Sequence, residues 1–181
     1  MKTHLALSGS AGTGKSTLGR RLADELGMTY IEEGMRRRLE AGLDLHRLDR
    51  GQMLDLVKEI WHEQRDAQER AEAGFIADRS SYDFAAFWLH YGLHEGSEDD
   101  GSVFHHWCAE GERYDRVILM PWGAIPLEDD GVRSPNRWIQ LRFQSTLEGT
   151  LARFAPEDQV LRVPATADFE SRVAFVLSAL G

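Results

Sequence analysis

Gly9-Ser10-Ala11-Gly12-Thr13-Gly14-Lys15-Ser16 meets the pattern G-x-x-x-x-G-K-[ST] at every fixed position. A phosphate chain needs several backbone N–H donors converging on it, and side chains obstruct that approach. Glycines at 9, 12 and 14 let the backbone curl round the anion, and the helix that follows adds its N-terminal dipole. Lys15 is placed to reach the β- and γ-phosphates, and the Ser16 hydroxyl to ligate Mg²⁺. The candidate nucleotide-binding residues are therefore Gly9, Ala11, Gly12, Thr13, Gly14, Lys15, Ser16 and Thr17.

The flanks agree with the loop. Thr3-His4-Leu5-Ala6-Leu7-Ser8 reads as a short buried strand, and Leu18, Leu22 and Leu26 recur every four residues as a helical stripe closed by Gly27. Outward from there, Met28–Ile31 reads as a second strand and residues 49–73 as a long helix with Met53, Leu54, Val57, Ile60 and Trp61 on one face. Residues 74–78 and 116–120 read as strands three and four, then a helix covers 136–154. Residues 159–163 form the fifth strand, and a last helix carries Val173, Val176, Leu177 and Leu180. Five short apolar strands alternating with helices imply an α/β fold, a parallel sheet covered on both faces. Ligands of such sheets sit beyond the carboxyl ends of the strands.

Composition narrows the partners. A chain of 181 residues, 42% hydrophobic and 28% charged, suits one globular domain over 1–181. The net charge of −9 disfavours nucleic acid or an anionic membrane as the main partner. Basic clusters at Arg36-Arg37-Arg38 and at Arg133, Arg137 and Arg142 suit a compact anion better than a long polyanion. Cys108 is the one cysteine, which fits a reducing cytoplasm. No apolar run has membrane-spanning length, and the first strand starts too early to leave room for a signal peptide.

Asp78 closes the third strand, where an acid holds Mg²⁺ directly or through water; the other reading is a cap for the next helix. Arg79 can pair with a phosphate, orient a substrate hydroxyl, or form an ion pair with a nearby carboxylate. Glu32 and Glu33 follow the second strand, and either can accept a hydroxyl proton during phosphoryl transfer, Glu33 slightly the better placed. Both also suit the first turn of a helix. The Pro-, Gly- and Asp-rich stretch within about 122–140 has the character of a lid, and Arg133 or Arg137 can bring positive charge to the transferring group, with Arg142 behind them. Tyr82, Phe84, Phe87, Trp88 and Tyr91 have helical spacing and read mostly as core, with one or two free to stack on an acceptor ring. The histidines at 90, 94, 105 and 106 lack the tight pairing of structural zinc sites.

Four segments resemble the P-loop kinase-type ATPase group that includes the ribosylnicotinamide kinase domain of bacterial NAD-salvage proteins. They are Gly9–Thr17, Ile31–Arg36, Ala77-Asp78-Arg79 with its aromatic helix, and Tyr114–Leu119 leading to Asp130-Gly131-Val132-Arg133. The resemblance implies a three-layer nucleoside-kinase-like fold with sheet order 2-3-1-4-5, ATP with Mg²⁺, and a lid contributing arginine. It points to a kinase that moves the ATP γ-phosphoryl group to a hydroxyl of a small-molecule, nucleoside-like acceptor. Two other readings stand beside it: an ATPase or switch acting on a protein partner, and a polynucleotide-end kinase. The Asn/Thr-Lys-x-Asp motif of guanine-type GTPases does not occur, and a ring-forming AAA+ machine would need a further helical domain.

Overall fold

In the computed structural model, which describes residues 2–95, 101–126, 136–166 and 168–181, five parallel strands form one sheet in the order β2-β3-β1-β4-β5. The strands are β1 (His4–Ser8), β2 (Thr29–Ile31), β3 (Phe75–Asp78), β4 (Arg116–Leu119) and β5 (Val160–Arg162). Seven α-helices accompany them among the described residues: α1 (Lys15–Leu26), α2 (Gly34–Glu40), α3 (Arg50–Arg70), α4 (Ser81–His90), α5 (Ser102–Glu110), α6 (Arg137–Phe154) and α7 (Phe169–Leu180). The sheet order and the strand–helix alternation are those expected from the sequence. The basic segment after Glu33 forms α2, with Glu33 at its N-cap.

Side-chain alternation sets the layers. Leu5 and Leu7 of β1, Ile76 of β3 and Ile118 of β4 point to one face, where Leu18 and Leu22 of α1 and Val173 and Val176 of α7 cover them. Ala6, Ala77, Val117 and Leu119 point to the other, against Tyr82, Ala86 and Phe87 of α4 and Phe143, Leu147 and Leu151 of α6. The two alanines let α4 lie close to the sheet. From Ser81 to Trp88 every residue of α4 is buried, because helices surround it on its outer side too. That outer cluster joins Met53, Val57 and Trp61 of α3 to Phe84, Phe104 and Trp107.

Register aligns the strand ends. Leu7 stands opposite both Asp78 and Ile118, and Ala77 opposite Ile31. Gly9, Glu33 and Asp78 therefore emerge at one rim. No helix among the described residues is long and apolar enough to cross a membrane.

The approach of α1 to the sheet is set by Gly19. A Cβ there would lie 2.5 Å from Leu7 Cδ1 and 2.6 Å from Tyr30 Cε2. Gly19→Ala is expected to lower the melting temperature by roughly 2–10 °C through overpacking, measured by thermal denaturation; an unchanged transition would show that α1 shifts freely.

Candidate active site

Between β1 and α1 the loop uses the freedom its glycines supply. Gly9 has φ 141° with Met120 Cβ only 3.2 Å from where a Cβ would stand, and Gly14 caps α1 in the left-handed region at φ 84°. Side chains hold the first half of the loop. Gln144 Oε1 accepts from the Ser10 amide at 2.8 Å, and Gln140 Oε1 from the Ala11 amide at 3.1 Å. These glutamines lie one turn apart on α6. Lys15, expected to face solvent or ligand, is 4% exposed and folds back across its own loop, Nζ donating to the Ser10 carbonyl at 2.6 Å. The first turn of α1 follows Gly14, an N-cap with no side chain to cap it. Its N–H groups are thus presented at the rim in the manner of an anion site.

Asp78 is buried at the end of β3. Its Oδ2 accepts from Ser16 Oγ at 2.5 Å and from the Tyr30 hydroxyl at 2.8 Å, while Oδ1 has no hydrogen-bond partner among the described residues. Burial, and after it the Asp78 carboxylate, pushes the Tyr30 phenol pKa above its ordinary range, so Tyr30 remains a donor. The capping role open to Asp78 falls instead to Ser80, whose side chain accepts from the Asp83 amide. Ser16 and Asp78 together are a hard-oxygen pair with an orphaned buried oxygen, which fits Mg²⁺. Among the described residues no three His, Cys, Asp or Glu side chains gather to hold a metal, so phosphate oxygens and water would complete the shell.

Arg79 has φ 109°, the one non-glycine residue among those described in that region. Its backbone is pinned on both sides, the amide to the Leu7 carbonyl at 3.0 Å and the carbonyl to Gln64 Nε2 at 2.8 Å. Its buried guanidinium donates through Nε to Glu33 at 2.8 Å and through Nη1 to the Gly9 carbonyl at 2.7 Å and Asp83 at 2.9 Å. It lies over the rings of Phe87 and Phe143. Burial opposes its charge, but Glu33, Asp83 and Asp78 outweigh burial and hold its pKa above the ordinary value. Of the three roles open to Arg79, ion pairing with nearby carboxylates is the one this geometry displays. Asp83, absent from the sequence candidates, also accepts from Ser8 Oγ at 2.6 Å and from the Ser80 amide at 3.0 Å. Its signal was the spacing Ser80-x-x-Asp83, a capping box.

The two acids after β2 part company. Glu32 is exposed and pairs with Arg20, whereas Glu33 is buried and lines a cavity of about 450 Å³. That cavity has apolar and aromatic walls from Met35, Phe87, Tyr91 and Phe143, with Arg79, His90 and Arg142 as basic groups, and it reaches Ala11 of the loop. A second hollow of about 440 Å³ lies against Ala11, Gly12 and Thr13, bounded by Trp122, Ile125 and Arg137. Gln140 borders both. Burial, then the nearby Arg142 charge, lowers the His90 pKa to about 4.

Arg137 opens α6 with its guanidinium over the rings of Trp122 and Trp138. Arg133 and the Asp130-Gly131-Val132 run lie outside the described residues, as does residues 127–135 of the expected lid. Thr17 is exposed at the start of α1. The Arg36-Arg37-Arg38 cluster, expected to suit a compact anion, instead pairs with Glu40, Glu59 and Glu63 on the surface of α2 and α3. Glu59 and Glu63 lie one turn apart on α3 and Glu40 ends α2, and this pairing discharges the cluster without a ligand.

The chain belongs to the AAA domain family, whose model matches residues 4–172. Among solved structures it resembles the NadR protein in complex with NR, with a TM-score of 0.77 and 25% identity over 99% of this chain and 50% of that one. NadR in complex with NAD and AMP-PNP gives 0.74 and 22%, over 99% and 48%. Deoxyadenosine kinase from M. mycoides with bound dATP gives 0.70 and 16%, over 98% and 99%. The chain spans about half the length of the NadR chains. No curated protein sequence matches it. The fold is that of the P-loop kinases.

Two of these buried groups have measurable effects. Asp83→Ala leaves the Arg79 charge short of a partner and is expected to cost about 3–5 kcal/mol in denaturant unfolding; a loss below 1 kcal/mol would show that Glu33 alone suffices. His90 takes up protons near 6.5 when unfolded and near 4 when folded. The unfolded state therefore binds more protons, and stability falls as pH drops from about 6.5 to about 4. His90→Gln should flatten that part of the melting-temperature profile, and parallel profiles for the two proteins would contradict it.

Proposed function

We propose that this member of the AAA domain family is an ATP- and Mg²⁺-dependent kinase that phosphorylates a hydroxyl of a small, nucleoside-like acceptor. The observation that carries this reading is the cavity of about 450 Å³ in which the buried carboxylate of Glu33 and Ala11 of the phosphate loop share walls. An ATPase acting on a protein partner needs water at the loop, not an aromatic-walled cavity beside it. The comparison proteins support the same reading, since NadR is seen with NR and the M. mycoides enzyme is a deoxyadenosine kinase. The net charge of −9 weighs against a polynucleotide end as acceptor.

In this reading the loop amides and Lys15 hold the β- and γ-phosphates, which requires Lys15 to exchange the Ser10 carbonyl for a phosphate oxygen. Ser16 and Asp78 hold Mg²⁺, which neutralises charge on the phosphates when bound. Phe87, Tyr91 and Phe143 form an apolar wall against which the acceptor ring packs. Glu33 takes the proton of the acceptor hydroxyl as its oxygen bonds to the γ-phosphorus. The bond from that phosphorus to the bridging oxygen breaks, and ADP leaves. Arg79 fixes the Glu33 carboxylate, and Arg137, in the expected lid at about 122–140, supplies positive charge on the opposite side, with Arg133 the second candidate for that role by its sequence alone. The chain acts as one domain, and its single cysteine suits a reducing cytoplasm.

The test is an acceptor screen with purified protein, ATP and Mg²⁺, scored for phosphorylated product. Lys15→Ala is expected to lose transfer by about 10²-fold or more, with its circular dichroism unchanged. Glu33→Gln should lower kcat by roughly 10²–10⁴-fold while leaving KM for ATP near its original value. Asp78→Asn should raise the Mg²⁺ needed for half-maximal rate by about tenfold. ADP formation without phosphorylated product across nucleosides, sugars and small alcohols would overturn the kinase reading.

A further inference from the structure

Behind the phosphate loop stands a charge that the reaction does not use. Arg172, in the first turns of α7, is 3% exposed. Its Nε donates to the Thr166 carbonyl at 2.6 Å and its Nη1 to the Thr13 carbonyl at 3.1 Å, while Nη2 is buried with no partner among the described residues. No carboxylate among the described residues forms an ion pair with it, and desolvation pulls its pKa below the ordinary value. Its location is also unfavourable, since the start of a helix is the positive end of the helix dipole. Among the described residues this buried cation faces two carbonyls and no anion, an arrangement that is costly in the free protein.

We propose that Arg172 is a positioning residue for the donor, and that the bound nucleotide triphosphate is its missing counter-charge. This rests on the reading of Gly9–Thr17 as a triphosphate site. The link runs through one peptide plane. In a trans peptide the Thr13 C=O and the Gly14 N–H point in opposite directions. A guanidinium on that carbonyl polarises the unit and strengthens the N–H presented to the phosphates on the other side. Arg172 Nη1 also lies 3.4 Å from where a Gly14 Cβ would stand, so the guanidinium packs on this turn and props it. Through Thr166 the same side chain ties the segment after β5 to the loop. The ligand class selected in this way is a polyphosphate, with affinity that grows with the number of phosphates.

The test is direct binding of ATP, ADP and AMP to the full chain by calorimetry, without turnover. Arg172→Met is expected to raise the Kd for ATP about tenfold or more, with a smaller loss for ADP and the smallest for AMP, and Arg172→Lys should recover most of the ATP affinity. An ATP affinity within twofold of wild type, or an equal loss for all three nucleotides, overturns the proposal. If Arg172→Met does not fold, Arg172→Lys and Arg172→Gln carry the same comparison. Wild-type protein that binds none of the three nucleotides would instead refute the triphosphate reading of the loop, and kinase activity has no bearing on either result.

Discussion

One buried guanidinium braces the working rim of this protein. Arg79 reaches Glu33 beyond β2, the Gly9 carbonyl beyond β1 and Asp83 in the first turn of α4, all within 2.9 Å. Burying that charge is affordable only because two carboxylates, a carbonyl and two aromatic faces surround it. The backbone reaches φ 109° at Arg79, and hydrogen bonds on either side of the residue hold it there. The phosphate loop and the carboxylate at the cavity of about 450 Å³ are thereby joined through one side chain. Movement of either has to pass through the same side chain.

A second constraint comes from the opposite side of the loop. Gln140 and Gln144 occupy the Ser10 and Ala11 amides, leaving the later amides and the start of α1 to face the rim. Gln144 is itself anchored, its Nε2 donating to the Met120 carbonyl at 3.1 Å and to Glu148 at 2.8 Å. Strand β4 and helix α6 thus shape a loop that lies more than a hundred residues away in the chain.

The parts legible in the sequence are those that contiguous residues encode. The loop, the short apolar strands, the α1 stripe closed by Gly27 and the aromatic helix α4 each need only a local window, and the strand order came with the family resemblance. The choice between Glu32 and Glu33 was not legible, because it depends on which of two neighbours faces Arg79, and that is decided by how α2 leaves the sheet. The brace itself requires residues 9, 33, 79 and 83 to meet, which no single window contains. Arg37 and Arg38 misled for the same reason. Their partners Glu59 and Glu63 lie on α3, more than 20 residues on, while Arg36 pairs with Glu40 in its own helix, and the cluster is a surface ion-pair network in which each pair contributes little. Gln140 and Gln144 show as polar residues on an otherwise apolar face of a readable helix, a signal that marks a buried contact without naming it.

The Gln140 side chain stands where the two hollows meet. The hollow against Ala11, Gly12 and Thr13 is walled on one side by loop backbone, which tolerates little change. The cavity beside Glu33 is walled largely by replaceable side chains such as Met35, Tyr91 and Arg142. On the proposed kinase reading, altering those side chains would change which acceptor fits while leaving the phosphate loop as it is.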